Sequence, residues 1–205
     1  MKPIVHNILT PCLITSLVLL TVCGDPEAEA QDDHGDEQEV ITTLMLMLTP
    51  QGGGDVITAT FKDADGNGGE EPTITNPILA TNTIYDVAVS LLNETVDPSD
   101  EEYDIGVEVK AEAEEHQLFY TGSGITDGLL TWVTTDAESD YTENNDDDLP
   151  LGLAGTLATG DAGSGTLTVT LKHQPPVNGV VVKTTMSGID DGETDVTVDF
   201  NVVVE

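Results

Sequence analysis

From residue 39 to the C-terminus, apolar and polar positions alternate with period two, the periodicity of strands whose side chains face opposite sides of a sheet. In EVITTLMLMLTP (39–50) one face carries Val40, Thr42, Leu44, Leu46 and Leu48, and the other Ile41, Thr43, Met45 and Met47. Both faces suit a sheet, which predicts a central strand. DVITATFKD (55–63) sets Ile57, Ala59 and Phe61 against Val56, Thr58 and Thr60, and TNTIYDVAVSLLNE (81–94) sets Tyr85, Val87, Val89 and Leu91 against Asp86 and Ser90. GLLTWVTTD (128–136) places Leu130, Trp132 and Thr134 on one side. GTLTVTLKH (165–173) alternates Leu167, Val169 and Leu171 with threonines, and TDVTVDFNVVVE (194–205) carries Val196, Val198, Phe200 and Val202. The Thr and Val content favours strands over helices.

Turn signals separate these runs: QGGGD, DGNGG, TNP, GDAGSG, PPVNG and DDGET. Short strands at such intervals predict an all-β fold, an antiparallel Ig-like β-sandwich. One segment, EEYDIGVEVKAEAEEHQ (101–117), fits both periods. Ile105, Val109 and Ala113 have helical spacing; Ile105, Val107 and Val109 have strand spacing. Its Ala and Glu content favours a helix and Gly106 opposes one. The expectation is one short helix near 101–117 covering an end of the sandwich.

The length of 205 residues suits one domain with tails, and 38% hydrophobic residues in strand alternation argue against disorder for most of the chain. Charge then narrows the partners. Thirty-nine acids face five lysines and no arginine, a net charge of -34. That excludes nucleic acid and charge-driven docking on anionic lipid, both of which need cations. It also weighs against enzymes that clamp anionic substrates with guanidinium groups. A dense carboxylate surface suits a saline habitat, where salt screens self-repulsion.

The N-terminus departs from the strand pattern. Lys2 precedes an apolar run, clearest at 13–22, which is short for a membrane span and is followed by Asp25, Glu27 and Glu29. LTVC (20–23) resembles a bacterial lipobox, in which the cysteine is acylated and becomes the mature N-terminus. The expected organisation is a signal peptide at 1–22, a lipidated, disordered acidic tether at 23–38, and one sandwich domain at 39–205. Cys23 is the expected lipid attachment site. Cleavage before it removes Cys12, so no disulfide can form within the mature chain.

EVITTLMLMLTPQGGG, FKDADGNGGEEPTIT, LATNTIYDVAVSLLNET, EEHQLFYT, GTLTVTLKHQP and DDGETDVTVDFNVVV occur in that order. Together they resemble a family of Bacteroidota lipoproteins of unknown function, whose members are often labelled "type 1 periplasmic binding fold superfamily protein". The resemblance spans 39–205 and implies no catalytic residues. The residues themselves lack the repeated strand–helix units of the two-lobed α/β form which that label names, and predict a sandwich instead. An acidic patch soon after the lipidated cysteine resembles the surface-export signal of such lipoproteins. The implied location is the outer membrane, on its periplasmic or cell-surface face.

Candidate chemistry is sparse. FKDADGNGGEEP (61–72) opens like a calcium loop, with Asp63, Asp65 and Asn67 as oxygen donors and Gly68 at the turn. Ile74 stands where an EF-hand needs its closing glutamate, which excludes that motif; Glu71 is a substitute ligand in a looser loop. The competing reading is a turn that requires Gly, Asn and Asp anyway. No cofactor is required, and calcium is the one cation to which these residues point. Asp136, Asp140, Asn144, Asp146, Asp147 and Asp148 form a second acidic run, either a weak cation binder or, as such runs more often are, a solvated loop, and Asp190–Asp195 reads as a hairpin turn. His116 and His173 lack the sequence-adjacent partners of a zinc site. Trp132, Tyr120 and Phe119 could build a sugar-stacking platform, but Trp132 lies on an apolar strand face and core packing suits it better. These residues point to a non-enzymatic binding or structural module. A carbohydrate-binding accessory lipoprotein is the alternative, and a carboxylate-dependent hydrolase the third reading. The membrane, reached through the lipid, is the one partner the sequence names.

Overall fold

The computed structural model describes residues 39–66, 69–142 and 148–205. The alternating rows form two sheets. The first runs β3-β2-β1-β5-β8-β7 and the second β4-β10-β9-β6. Their strands are β1 (Thr43–Pro50), β2 (Ile57–Lys62), β3 (Thr73–Thr75), β4 (Ile78–Leu79), β5 (Ile84–Leu92), β6 (His116–Thr121), β7 (Leu130–Thr134), β8 (Ala154–Thr159), β9 (Gly163–His173) and β10 (Glu193–Val204). Every pairing is antiparallel except the two-residue contact of β4 with β10. The chain is an all-β sandwich, as its alternation predicts.

β1 is central, between β2 and β5. Its leucine row, Leu44, Leu46 and Leu48, is buried, while Met47 on the other row is exposed. The leucine row meets Leu167, Val169 and Leu171 of β9 and Val196, Val198, Phe200, Val202 and Val204 of β10 in one hydrophobic core. Removing these side chains from water is the main force holding the sheets together.

The expected helix over 101–117 is shorter than its pattern. A 3-10 turn spans Glu101–Tyr103 and α1 spans Ile105–Ala111, burying Ile105 and Val109. The chain then turns, and His116 starts β6. A second helical turn, α2, spans Ser123–Thr126. Among the described residues no helix is long and apolar enough to cross a membrane.

With 39 acids and five lysines, repulsion among surface carboxylates works against the compact state. The melting temperature is expected to rise between about 10 mM and about 1 M NaCl, as the screening length falls from roughly 30 to roughly 3 Å. A melting curve that does not move with salt would remove the saline-habitat explanation of the charge.

Candidate functional site

The acidic loop singled out in the sequence closes the β2–β3 hairpin. Asp63 follows β2, its N–H donating to the Thr42 carbonyl at 2.7 Å. Asp65 is exposed, and its Oδ2 accepts from the Glu70 N–H at 2.9 Å. Its carboxylate also packs over Gly69, where a Cβ would meet Oδ2 at 1.7 Å. Gly66 takes φ 72°, a conformation that favours glycine. Asp65 therefore serves the turn itself. Glu71 is exposed, and Asn67 lies outside the described residues. Among the described residues, Asp63, Asp65 and Glu71 do not gather their oxygens within the few ångströms a shared cation needs.

The second acidic run does more than face solvent. Asp136 is buried, with Oδ1 accepting from the Gly152 N–H at 2.9 Å and Oδ2 from the Tyr141 hydroxyl at 3.0 Å. Asp140 accepts from the Ala137 N–H and Asp148 from the Ser139 N–H. Residues 143–147, including Asn144, Asp146 and Asp147, lie outside the described residues, as does Cys23. The aromatic trio divides. Trp132 and Tyr120 stack on each other, centroids 3.6 Å apart, as a bridge between the sheets. Phe119 alternates to the opposite side of β6 from Tyr120.

The densest chemistry lies at one end of the sandwich, around the two histidines. His173 ends the inward row Leu167, Val169, Leu171 of β9, and His116 begins the row His116, Leu118, Tyr120 of β6. The two strands pair with His116 directly opposite His173. Cross-strand register thus stacks the rings, centroids 4.5 Å apart and planes 11° apart. Glu39, just before β1, reaches in to place Oε1 2.6 Å from His116 Nε2. Its Oε2 is 3.9 Å from His173 Nδ1. His116 Nδ1 is 3.2 Å from the carbonyl oxygen of Glu112, the residue just after α1. Glu115 Oε2 stands 3.5 Å from His173 Nε2. A β-bulge between Thr194 and Val196 in β10 turns Asp195 toward Glu39.

The charges follow from burial. Burial pushes the Glu39 carboxyl up, but the hydrogen bond and charge of His116 outweigh it and hold Glu39 at about 2. Burial likewise pulls His116 down, and the bond to Glu39 with its charge lifts it above its ordinary value. His173 is lowered, by burial first and then by the neighbouring His116 cation. Asp195 is pushed up to about 9 by burial and by the Glu39 charge beside it. At neutral pH Glu39 is therefore ionised and Asp195 keeps its proton, which lies between two carboxyls that could not both ionise in contact.

One donor atom from each of Glu39, Glu112, His116 and His173 falls within 4.8 Å of the others. A narrow cleft of about 230 Å³, lined by Glu39, Thr42, Asp63, Gly66 and Asp195 among others, reaches this end of the molecule. Asp63 of the predicted acidic loop thus shares a cleft with Glu39 and Asp195, while His116, His173 and Glu112 are not among its lining residues. Sequence reading passed over His116 and His173 because their partners are distant in the chain. The available signal was a histidine in the inward row of each strand, where an apolar residue is the rule. Comparison with protein-family models and with curated proteins finds no match for this chain.

Proposed function

We propose that the chain is an exported lipoprotein of the Bacteroidota family it resembles, with its sandwich a non-enzymatic binding or structural module at the outer membrane. Acyl chains on Cys23 hold the protein at the lipid surface, and the acidic segment 24–38 gives reach. The sandwich then presents its loops at the end of that tether. The observation that carries the reading is the order of LTVC (20–23), an acidic segment, and a sandwich whose first strand starts at Thr43.

The test is acylation. Expressed in a bacterium with lipoprotein processing, the wild-type chain is expected to incorporate a palmitate analogue and partition into the detergent phase. Cys23→Ala is expected to lose the label and move to the aqueous phase. A wild-type chain that takes no label, or a Cys23→Ala chain that keeps it, overturns the assignment of the anchor.

A further inference from the structure

Independently of the anchor, we propose that Glu39, Glu112, His116 and His173 form a site for one divalent transition-metal ion, zinc being the best match. Two imidazoles with two carboxylates make a nitrogen–oxygen donor set suited to zinc and its first-row neighbours. It is poor for calcium, which takes six to eight oxygens. Three of the donors are buried, with His116, His173 and the Glu39 side chain each at most 3% exposed, and Glu112 is half-buried.

The group behind His116 fits as well. His116 Nδ1 donates to the Glu112 backbone carbonyl, which directs Nε2 toward the other donors. Such an anchor orients a metal-binding imidazole and fixes its tautomer. The two histidines are preset by strand register rather than by flexible loops, so little ordering remains for binding to accomplish.

The cluster also shows a charge problem that a cation would resolve. Glu39 Oε2, Glu112 Oε2 and both Asp195 oxygens are buried with no hydrogen-bond partner among the described residues. Buried carboxylate oxygens without donors are costly, and the common remedies are a paired cation or a metal. His116 Nε2 and Glu39 Oε1 now share a proton at 2.6 Å, and a metal would displace that proton and part the two atoms to about 3.3 Å. The cleft lined by Asp63 and Asp195 borders the site at Glu39, and its acidic wall raises the local concentration of cations.

The experiment uses the full chain with Cys12→Ser and Cys23→Ser, so that no thiol competes, and carries no histidine tag. Titration with zinc chloride is expected to show one tight ion per chain, unaffected by excess calcium. Cobalt is expected to give the visible absorption bands of a low-coordinate nitrogen–oxygen site. His173→Gln and Glu112→Gln are each expected to weaken zinc binding by at least about tenfold. Because either variant could fail to fold, the deciding measurement is made on the otherwise unaltered chain, by the side-chain nitrogen resonances of its four histidines. Zinc is expected to move His116 and His173 and to leave His6 and His34 in place. Non-stoichiometric binding displaced by calcium, or shifts confined to His6 and His34, would overturn the proposal.

Discussion

Lys183→Met is expected to destabilise the domain by about 3–5 kcal/mol, the typical cost of stripping one partner from a buried ion pair. Lys183 Nζ lies 2.8 Å from Glu138 Oε1, with the two side chains 0% and 4% exposed, and donates to the Ala113 carbonyl at 2.8 Å. Without the lysine, Glu138 remains as an uncompensated buried carboxylate. For a domain of this size the loss corresponds to roughly 6–20 °C in melting temperature. The pair is expected to add little net stability, however. Burial lowers the Lys183 pKa despite the opposing hydrogen bond and charge of Glu138. Desolvation therefore exceeds attraction, and the double variant Lys183→Met with Glu138→Leu is expected to recover most or all of the loss. Denaturant unfolding of the four proteins measures the cycle. A single-variant cost below about 1 kcal/mol would mean that the pair behaves as a solvated surface bridge.

That pair explains why the second acidic run was misread from sequence. TTDAESDYTENNDDDLP reads as a solvated loop, because acids are the default surface residue in this chain. Yet Asp136 and Glu138 are buried, one serving Gly152 N–H and Tyr141, the other pairing with a lysine forty-five positions on. The histidine site was hidden for a similar reason. His116 and His173 meet through β6–β9 register, Glu39 arrives from ahead of β1, and Asp195 is aimed by a bulge. None of these relations leaves a spacing in the sequence. The strands were legible where a large apolar side chain fills every inward position, as in β1, β9 and β10. β6 was obscured because the Ala/Glu helix signal runs on to Gln117, whereas the helix ends at Ala111. β3 and β4, three and two residues long, are too short to show a period.

β8 was missed because its inward row is Gly155, Leu157 and Thr159, with one large residue in three. Its neighbour supplies the missing volume. The Trp132 ring lies across Gly155, where a Cβ would stand 2.3 Å from the indole and 2.8 Å from the Val133 carbonyl. Trp132 also stacks on Tyr120, whose hydroxyl donates to the Gly152 carbonyl at 2.6 Å, and its Nε1 donates to Thr134 Oγ1 at 2.9 Å. Any side chain at Gly155 must move that ring and with it the bridge between the sheets. Gly155→Val is therefore expected to cost about 3 kcal/mol, the upper part of the usual range for overpacking a core. As the chain has one tryptophan, its fluorescence reports the site directly, and a red shift is expected as the ring is displaced toward water. Gly160→Ala is the control. A Cβ there meets nothing closer than the Gly128 carbonyl at 3.4 Å, so the change is expected to stay within about 0.5 kcal/mol. Equal, small effects at the two glycines, with unchanged emission, would mean that Trp132 does not fill the space over β8. The inward row of that strand would then need another account.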